Sequence, residues 1–369
     1  LILWLANRSR DPFDNLTLDF GFILYDLGDL PDSYGTTIAA TAGSGARHVL
    51  DGVTYLGTTV DSEADGQPSV DADGDDTPTG LDTADDEDGV TFNTPIMAGE
   101  VATITVNVST AGALNAWMDF NGNGTLEAGE QLFVDEMLTA GNNVLTFTAP
   151  AAVDDDNLYS RFRFTDSAGQ VTSPHGAAVS GEVEDYVLMA LGDTVWLDNG
   201  AGSAGGLDAN NGTQDGTEAG VAAVLVELYQ QGTTPGTDAP IATTTTDGNG
   251  EYLFTGLVPG DYTVYLPASN FAPGAALEDH FSSTDPGALA VDPDDNQDLD
   301  DNGAGDDSND PLNNGIISIP VTLALGTEPD GTDGDGPRWR SACYRARCLS
   351  WRGRGCRGGW SAPCGSHRG

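Results

Sequence analysis

Residues 101–108 read V-A-T-I-T-V-N-V, with Ala102, Ile104, Val106 and Val108 at every second position. On a helix those four would scatter around the axis; on a strand they share one face. The same period governs residues 15–22, where Leu16, Leu18, Phe20 and Phe22 align, and residues 309–325, where Ile317, Ile319, Val321 and Leu323 alternate. In residues 160–165, Phe162 and Phe164 face one way and Arg161 and Arg163 the other. Residues 46–57, 144–148 and 181–188 add strand-like stretches, with Gly, Asp, Asn and Pro clustered between them. Strands at short spacing, punctuated by turn residues, predict an all-β fold of β-sandwich modules. A length of 369 residues gives chain for two or three domains.

Residues 119–130, D-F-N-G-N-G-T-L-E-A-G-E, fit the pattern D-x-[DN]-x-[DN]-G-x5-E at every specified position. In such a loop Asp119, Asn121 and Asn123 offer side-chain oxygens, and Gly124 makes the sharp turn. Thr125 gives its carbonyl, Glu127 helps directly or through water, and Glu130 closes the loop with two oxygens. That set suits calcium, a hard ion that takes many oxygens. Asn-Gly pairs also make hairpin turns, so N-G-N-G by itself fits a plain strand connection. A turn has no need of acids at the ninth and twelfth positions, and those favour calcium. The flanks, 114–120 and 131–135, read as strands. The predicted object is a calcium loop on a β-hairpin, not a helical EF-hand.

The chain has 58 acidic residues against 13 basic ones, with no lysine, for a net charge of −45. That excess argues against nucleic acid and anionic membrane as partners, and bound cations would relieve its self-repulsion. No run of 18 apolar residues occurs, so no membrane insertion is expected. Residues 1–5 are too short for a signal peptide's apolar core, and the missing initial Met suggests a fragment or processed piece. Nucleophile elbow, P-loop, H-E-x-x-H and dinucleotide fingerprint are all absent, so no enzyme is expected. The four histidines are far apart, and His175 in S-P-H-G reads as a loop residue. An enzyme reading survives only as a metal-dependent hydrolase built on the acidic loops. Arg161 and Arg163 are expected to pair with carboxylates of a neighbouring strand.

Residues 61–89 and 292–310 are dense in carboxylates. Each reads either as a solvated acidic excursion or as a further cation site; residues 85–88, which abut an apolar stretch, are evenly balanced. Beyond Pro337 the composition inverts: eight arginines, three tryptophans and all four cysteines (Cys343, Cys348, Cys356, Cys364), with no acid. A change of reading frame near Pro337 explains this as a non-native tail over 337–369. A zinc- or nucleic-acid-binding tail is the rival, but the cysteine gaps of 4, 7 and 7 residues hold no C-x2-C pair.

Residues 181–186 are G-E-V-E-D-Y, the string that names the GEVED domain. The A-W-M-D-F-N-G-N-G segment from Ala116, and the run from D-L-P-D-S-Y-G through G-A-R-H-V-L to D-D-E-D-G-V, are similar to that family over residues 25–189. The resemblance implies an extracellular β-module of multidomain bacterial surface proteins, without catalytic residues. From Gly192, G-D-T-V-W-L-D, T-Q-D-G-T-E-A-G-V and the T-D-G-N-G-E-Y-L-F-T-G-L-V-P-G-D-Y-T-V stretch resemble the SdrD B-like domain, a relative of Cna B-type repeats. Its sandwiches are Ig-like or prealbumin-like. In that family the opening loop binds calcium. Carried over, the ligands are Asp198, Asn211, Asp215 and Glu218, but the small-residue insertion 200–206 and Ala209 at the third position break the pattern, so either Asp198 or Asp208 is folded back in or the site is weak.

The resemblance divides the chain into 1–22 (the end of a preceding B-like module, with its final strand at 15–22), 23–97 (acidic linker and N-terminal part of the GEVED region), 98–190 (GEVED sandwich) and 192–330 (SdrD B-like domain lacking its last strand). Without lysine the chain cannot form the Lys–Asn crosslink common among Cna B-type relatives. The expected function is a calcium-stabilised spacer or adhesion module of a secreted or cell-surface bacterial protein. Its partners are a surface ligand, protein or glycan, and neighbouring modules of the parent chain. The alternative is a carbohydrate- or protein-ligand-binding module appended to an extracellular enzyme.

Overall fold

The computed structural model describes residues 20–39, 45–74, 86–154, 157–201, 212–214, 217–283, 301–303 and 310–325. Residues 15–19, most of 292–310, Asn211, Asp215 and the tail 337–369 lie outside them. The strands, in chain order, are β1 (Tyr25–Leu27), β2 (Arg47–Val49), β3 (Val90–Phe92), β4 (Val101–Val108), β5 (Gly112–Met118), β6 (Gln131–Leu138), β7 (Gly141–Thr148) and β8 (Leu158–Thr165). After them come β9 (Ala177–Ala178), β10 (Glu182–Thr194), β11 (Leu225–Gln230), β12 (Ala242–Thr245), β13 (Glu251–Leu257), β14 (Gly260–Leu266), β15 (Ile316–Ile317) and β16 (Val321–Leu323). The fold is all-β, as the period-two patterns require; the one α-helix among the described residues is the single turn Pro311–Asn314.

The first sandwich packs sheet β3-β4-β7 against the sheet ordered β13-β10-β8-β5-β6. Ala102, Ile104, Val106 and Val108 are buried along β4, and Ile104, Val106 and Val108 meet Leu114, Phe133, Phe162 and Phe164 from the facing sheet. Leu56 and Val90 join the same cluster, so residues ahead of 98 help build this core. The sheet's other face is covered too. There Leu30, Tyr34, Trp117, Leu126, Val171 and Ala178 form a second cluster under a layer drawn from residues 25–74 and 171–178. Strands β1, β2 and β9 form its small sheet, with β2 and β9 parallel. The acidic stretch 61–74 packs onto this layer: Ser69 N–H donates to Asp29 O, and Gly74 N–H donates to Asp29 Oδ2.

The second sandwich sets sheet β12-β11-β14-β15, with β16 also on β14, against the end of β10 and β13. Met189, Val226, Leu228, Phe254, Leu257, Tyr262, Val321 and Leu323 fill it. β10 is common to both sandwiches: residues 182–188 pair with β8, and Met189–Thr194 pair with β13. The Asp-Gly-Asn-Gly turn forms as read, with Asp247 Oδ1 accepting Asn249 N–H at 2.7 Å and Glu251 N–H at 3.1 Å.

Two strand readings change. The stretch through 309–325 is split into β15 and β16 at Pro320, whose missing N–H cannot continue a ladder. Residues 20–22 lie outside any strand, and Phe20 and Phe22 are exposed.

Candidate metal centre

β5 and β6 pair antiparallel down to Trp117–Gln131, and loop 119–130 closes the hairpin they form. The two carboxylates at its ends, Asp119 and Glu130, are buried at its base. Asn121, Asn123, Thr125 and Glu127 are exposed above them. Asp119 Oδ2 accepts Gly124 N–H and Tyr34 Oη–H, both at 2.8 Å, while Oδ1 accepts Asn123 N–H at 3.3 Å. Glu130 Oε1 accepts Phe120 N–H at 3.1 Å and Asn121 Nδ2–H at 2.6 Å; Oε2 accepts Glu127 N–H at 3.0 Å. Asn123 Oδ1 accepts the Thr125 N–H and hydroxyl. Gly122 and Gly124 take φ of +62° and +78°, the left-handed region that the turn demands.

A carboxylate oxygen has more than one lone-pair direction, so these amide contacts leave capacity toward an ion. For Asn121 to offer oxygen, its side-chain amide must turn over. Burial raises the pKa of Glu130, and the charge of Asp119 adds to that. Tyr34 is held protonated for the same reasons, burial first and then Asp119. The loop also gains a neighbour that the motif omits: a Cβ placed on Gly122 would lie 2.5 Å from Asp154 Oδ2. The run of three aspartates at 154–156 was the available signal.

In the second module, Asp198 and Glu218 share a loop. Glu218 Oε1 accepts Asn199 N–H at 2.7 Å and Gly200 N–H at 2.6 Å, and Asp198 Oδ2 accepts Gly212 N–H at 2.8 Å. Asp301, from the acidic run, donates its N–H to Gly212 O. The other two carried-over ligands, Asn211 and Asp215, fall outside the described residues.

The G-E-V-E-D string has a structural role that its sequence did not disclose. Asp185 faces Arg161 across β10 and β8, and their fully buried pair is bidentate, 2.7 Å from Oδ1 to Nε and 2.7 Å from Oδ2 to Nη2. Asp185 Oδ2 also accepts Asp29 N–H and Leu30 N–H from the covering layer. Arg161 thus pairs with a neighbouring strand's carboxylate, as expected. Arg163 does not: its Nε donates to His48 Nε2 at 3.0 Å, and its other donors go to the carbonyls of Ser173, His175 and Gly176. Glu182 and Glu184 accept Leu56 N–H and Gly89 N–H. Beside them Asp26, Asp86 and Glu182, all buried, bring carboxylate oxygens within 4.8 Å of one another, an arrangement that can hold a metal ion.

Comparison with known proteins agrees with these two sandwiches. Residues 113–189 match the GEVED domain model, and residues 189–288 match the SdrD B-like domain model. Neither is an enzyme family. Over 74 residues the chain is 40% identical to serine-aspartate repeat-containing protein F of Staphylococcus epidermidis, a match covering 20% of this chain and 4% of that protein. Among solved structures, the D0-D1 domain of intimin aligns with 48% of this chain and 88% of its own, at 13% identity and a TM-score of 0.15. The minor pilin GBS52 of Streptococcus agalactiae aligns with 42% of this chain and 69% of its own, at 16% identity and a TM-score of 0.13. Scores this low carry no information on the fold. The chain carries, in order, a GEVED domain and an SdrD B-like domain.

Proposed function

We propose that this chain is a structural spacer or adhesion module of a bacterial secreted or cell-surface protein, and that calcium in loop 119–130 stabilises it. The carrying observation is the pair Asp119 and Glu130, buried together at the base of a hairpin loop, with Asn121, Asn123, Thr125 and Glu127 exposed above them. The likeness to part of a serine-aspartate repeat-containing protein supports the surface setting. Among the described residues no helix is long and apolar enough to cross a membrane. An ion that binds only the folded loop adds stability of RT ln(1 + [Ca]/Kd), and extracellular modules bind at about 0.1–1 mM. Thermal unfolding of the full chain with calcium and with chelator tests this. The melting temperature should rise with calcium, and Glu130→Gln should lose much of the rise. An unchanged melting curve in chelator would overturn the calcium reading.

A second reading, a ligand-binding module, is favoured by a cavity of about 460 Å³ in the second sandwich, lined by Trp196, Tyr252, Phe271 and Phe281 among others. Binding on a glycan array would support that reading over a pure spacer.

A further inference from the structure

Among the described residues the first half of β10 pairs only with β8, and carboxylates close its other edge. Asp26 Oδ2, from β1, accepts Val183 N–H at 2.6 Å. Glu182 Oε2 accepts Leu56 N–H, and Glu184 Oε1 accepts Gly89 N–H at 2.8 Å. Asp86 Oδ2 accepts Asp61 N–H at 3.0 Å. Segments far apart in sequence are gathered onto one strand edge by acids.

We infer that Asp26, Asp86 and Glu182 form a buried site for a hard divalent cation of calcium's size, separate from loop 119–130 and independent of it. Their oxygens all lie within 4.8 Å of one another, close enough for one ion with bonds of ~2.4 Å to reach all three. Independently, Glu182 Oε1 is a fully buried oxygen with no hydrogen-bond partner among the described residues, on a side chain that belongs to the cluster. Native proteins seldom leave such an atom unsatisfied, and a cation satisfies it. The three side chains offer carboxylate oxygens, which favour calcium or magnesium over zinc or copper. Calcium's looser geometry suits ligands from three separate segments better than magnesium's strict octahedron.

No described arginine donates to Glu182, although the Arg163 charge acts on Asp26. Arg161 serves Asp185 and nearby oxygens, Arg163 serves His48 and three carbonyls, and Arg47 donates to Gly45 O and lies over the Tyr25 ring. Burial, then the charges of Glu184 and Asp26, push the Glu182 carboxyl well above its ordinary range. A bound ion joins β1, the segment before β3 and the edge of β10, and so clamps the 25–74 layer onto the sheet.

The test uses the full chain and calcium alone as probe, with bound ions counted after gel filtration and amide exchange read by mass spectrometry. Glu182→Gln and Asp86→Asn should each bind one ion fewer than the wild type, while Glu130→Gln keeps this ion. In chelator, exchange at the amides of Leu27, Leu56 and Val183 should quicken at least tenfold in the wild type. Glu182→Gln removes a like charge and keeps an acceptor for Leu56, so it should melt no lower than wild type in chelator and gain less from calcium. Unchanged ion counts in both variants, or equal exchange with calcium and with chelator, would overturn the site and leave loop 119–130 untouched. Loss of an ion only in Glu130→Gln would likewise overturn it while supporting the loop.

Discussion

Asp185 shows how much one side chain can hold. It receives two charge-assisted bonds from Arg161 and two backbone N–H bonds from residues 29 and 30. Gly28 is part of that arrangement, since a Cβ there would sit 2.3 Å from Asp185 Oδ2. Removing one partner of a buried pair leaves an uncompensated charge, at a cost of about 3–5 kcal/mol. Asp185→Ala should therefore lower the unfolding free energy by about that amount, read as a lower urea midpoint with little change in slope. His48 supplies a pH dependence. Its Nε2 accepts from Arg163, so its proton sits on Nδ1 facing Ser180 O at 2.8 Å. Burial, then the Arg163 charge, hold its pKa well below the ordinary 6.5. The unfolded chain takes up a proton below that pH and the folded chain resists it. Stability from this residue is complete above 6.5 and is lost as pH falls toward the folded value. Urea unfolding should show the wild type losing stability relative to His48→Gln as pH drops from about 8 to about 5.

At the scale of elements, the shared strand β10 and its neighbours tie the two sandwiches together. Ile96 N–H donates to Thr255 O at 3.1 Å, and Thr255 Oγ1–H donates to Ile96 O at 2.5 Å. Gly256 lies against Ile96 at φ +67°, and a Cβ there would come within 2.3 Å of the Ile96 Cβ. Gly256→Ala should thus destabilise the junction by ~1–2 kcal/mol for the left-handed backbone, plus roughly 1–3 kcal/mol for overpacking. Differential scanning calorimetry should show this as a lower or split transition. The β5–β6 hairpin was legible in advance because its strands and the loop between them are contiguous. The layer over the opposite sheet face was not, because β1 and β2 have three residues each, too few to show a period.

For the whole molecule, the layer and the sandwich are one folding unit. Trp117, Arg161 and Arg163 are almost fully buried, and the cover comes from residues outside 98–190 as well as within it. A fragment of residues 98–190 should therefore aggregate or lack near-ultraviolet dichroism, whereas residues 20–190 should fold cooperatively. A net charge of −45 works against compaction, and every cation held by the fold relieves it.

Alternation along the chain determined the all-β class, the inward faces of β4 and β8 and the hairpin at loop 119–130, because strand period and turn chemistry act between near neighbours. The pairing of Arg161 was also readable, since opposite charges on adjacent strands attract. Only the tertiary structure decided that Arg163 would meet His48 and carbonyls, that Tyr34 would donate to Asp119, that Asp154 would lie against Gly122, and that Asp26, Asp86 and Glu182 would converge. Those meetings join residues from ten to more than a hundred positions apart. Nothing in local spacing encodes them; they arise when an edge strand and a sheet face must be covered and the chain returns to cover them.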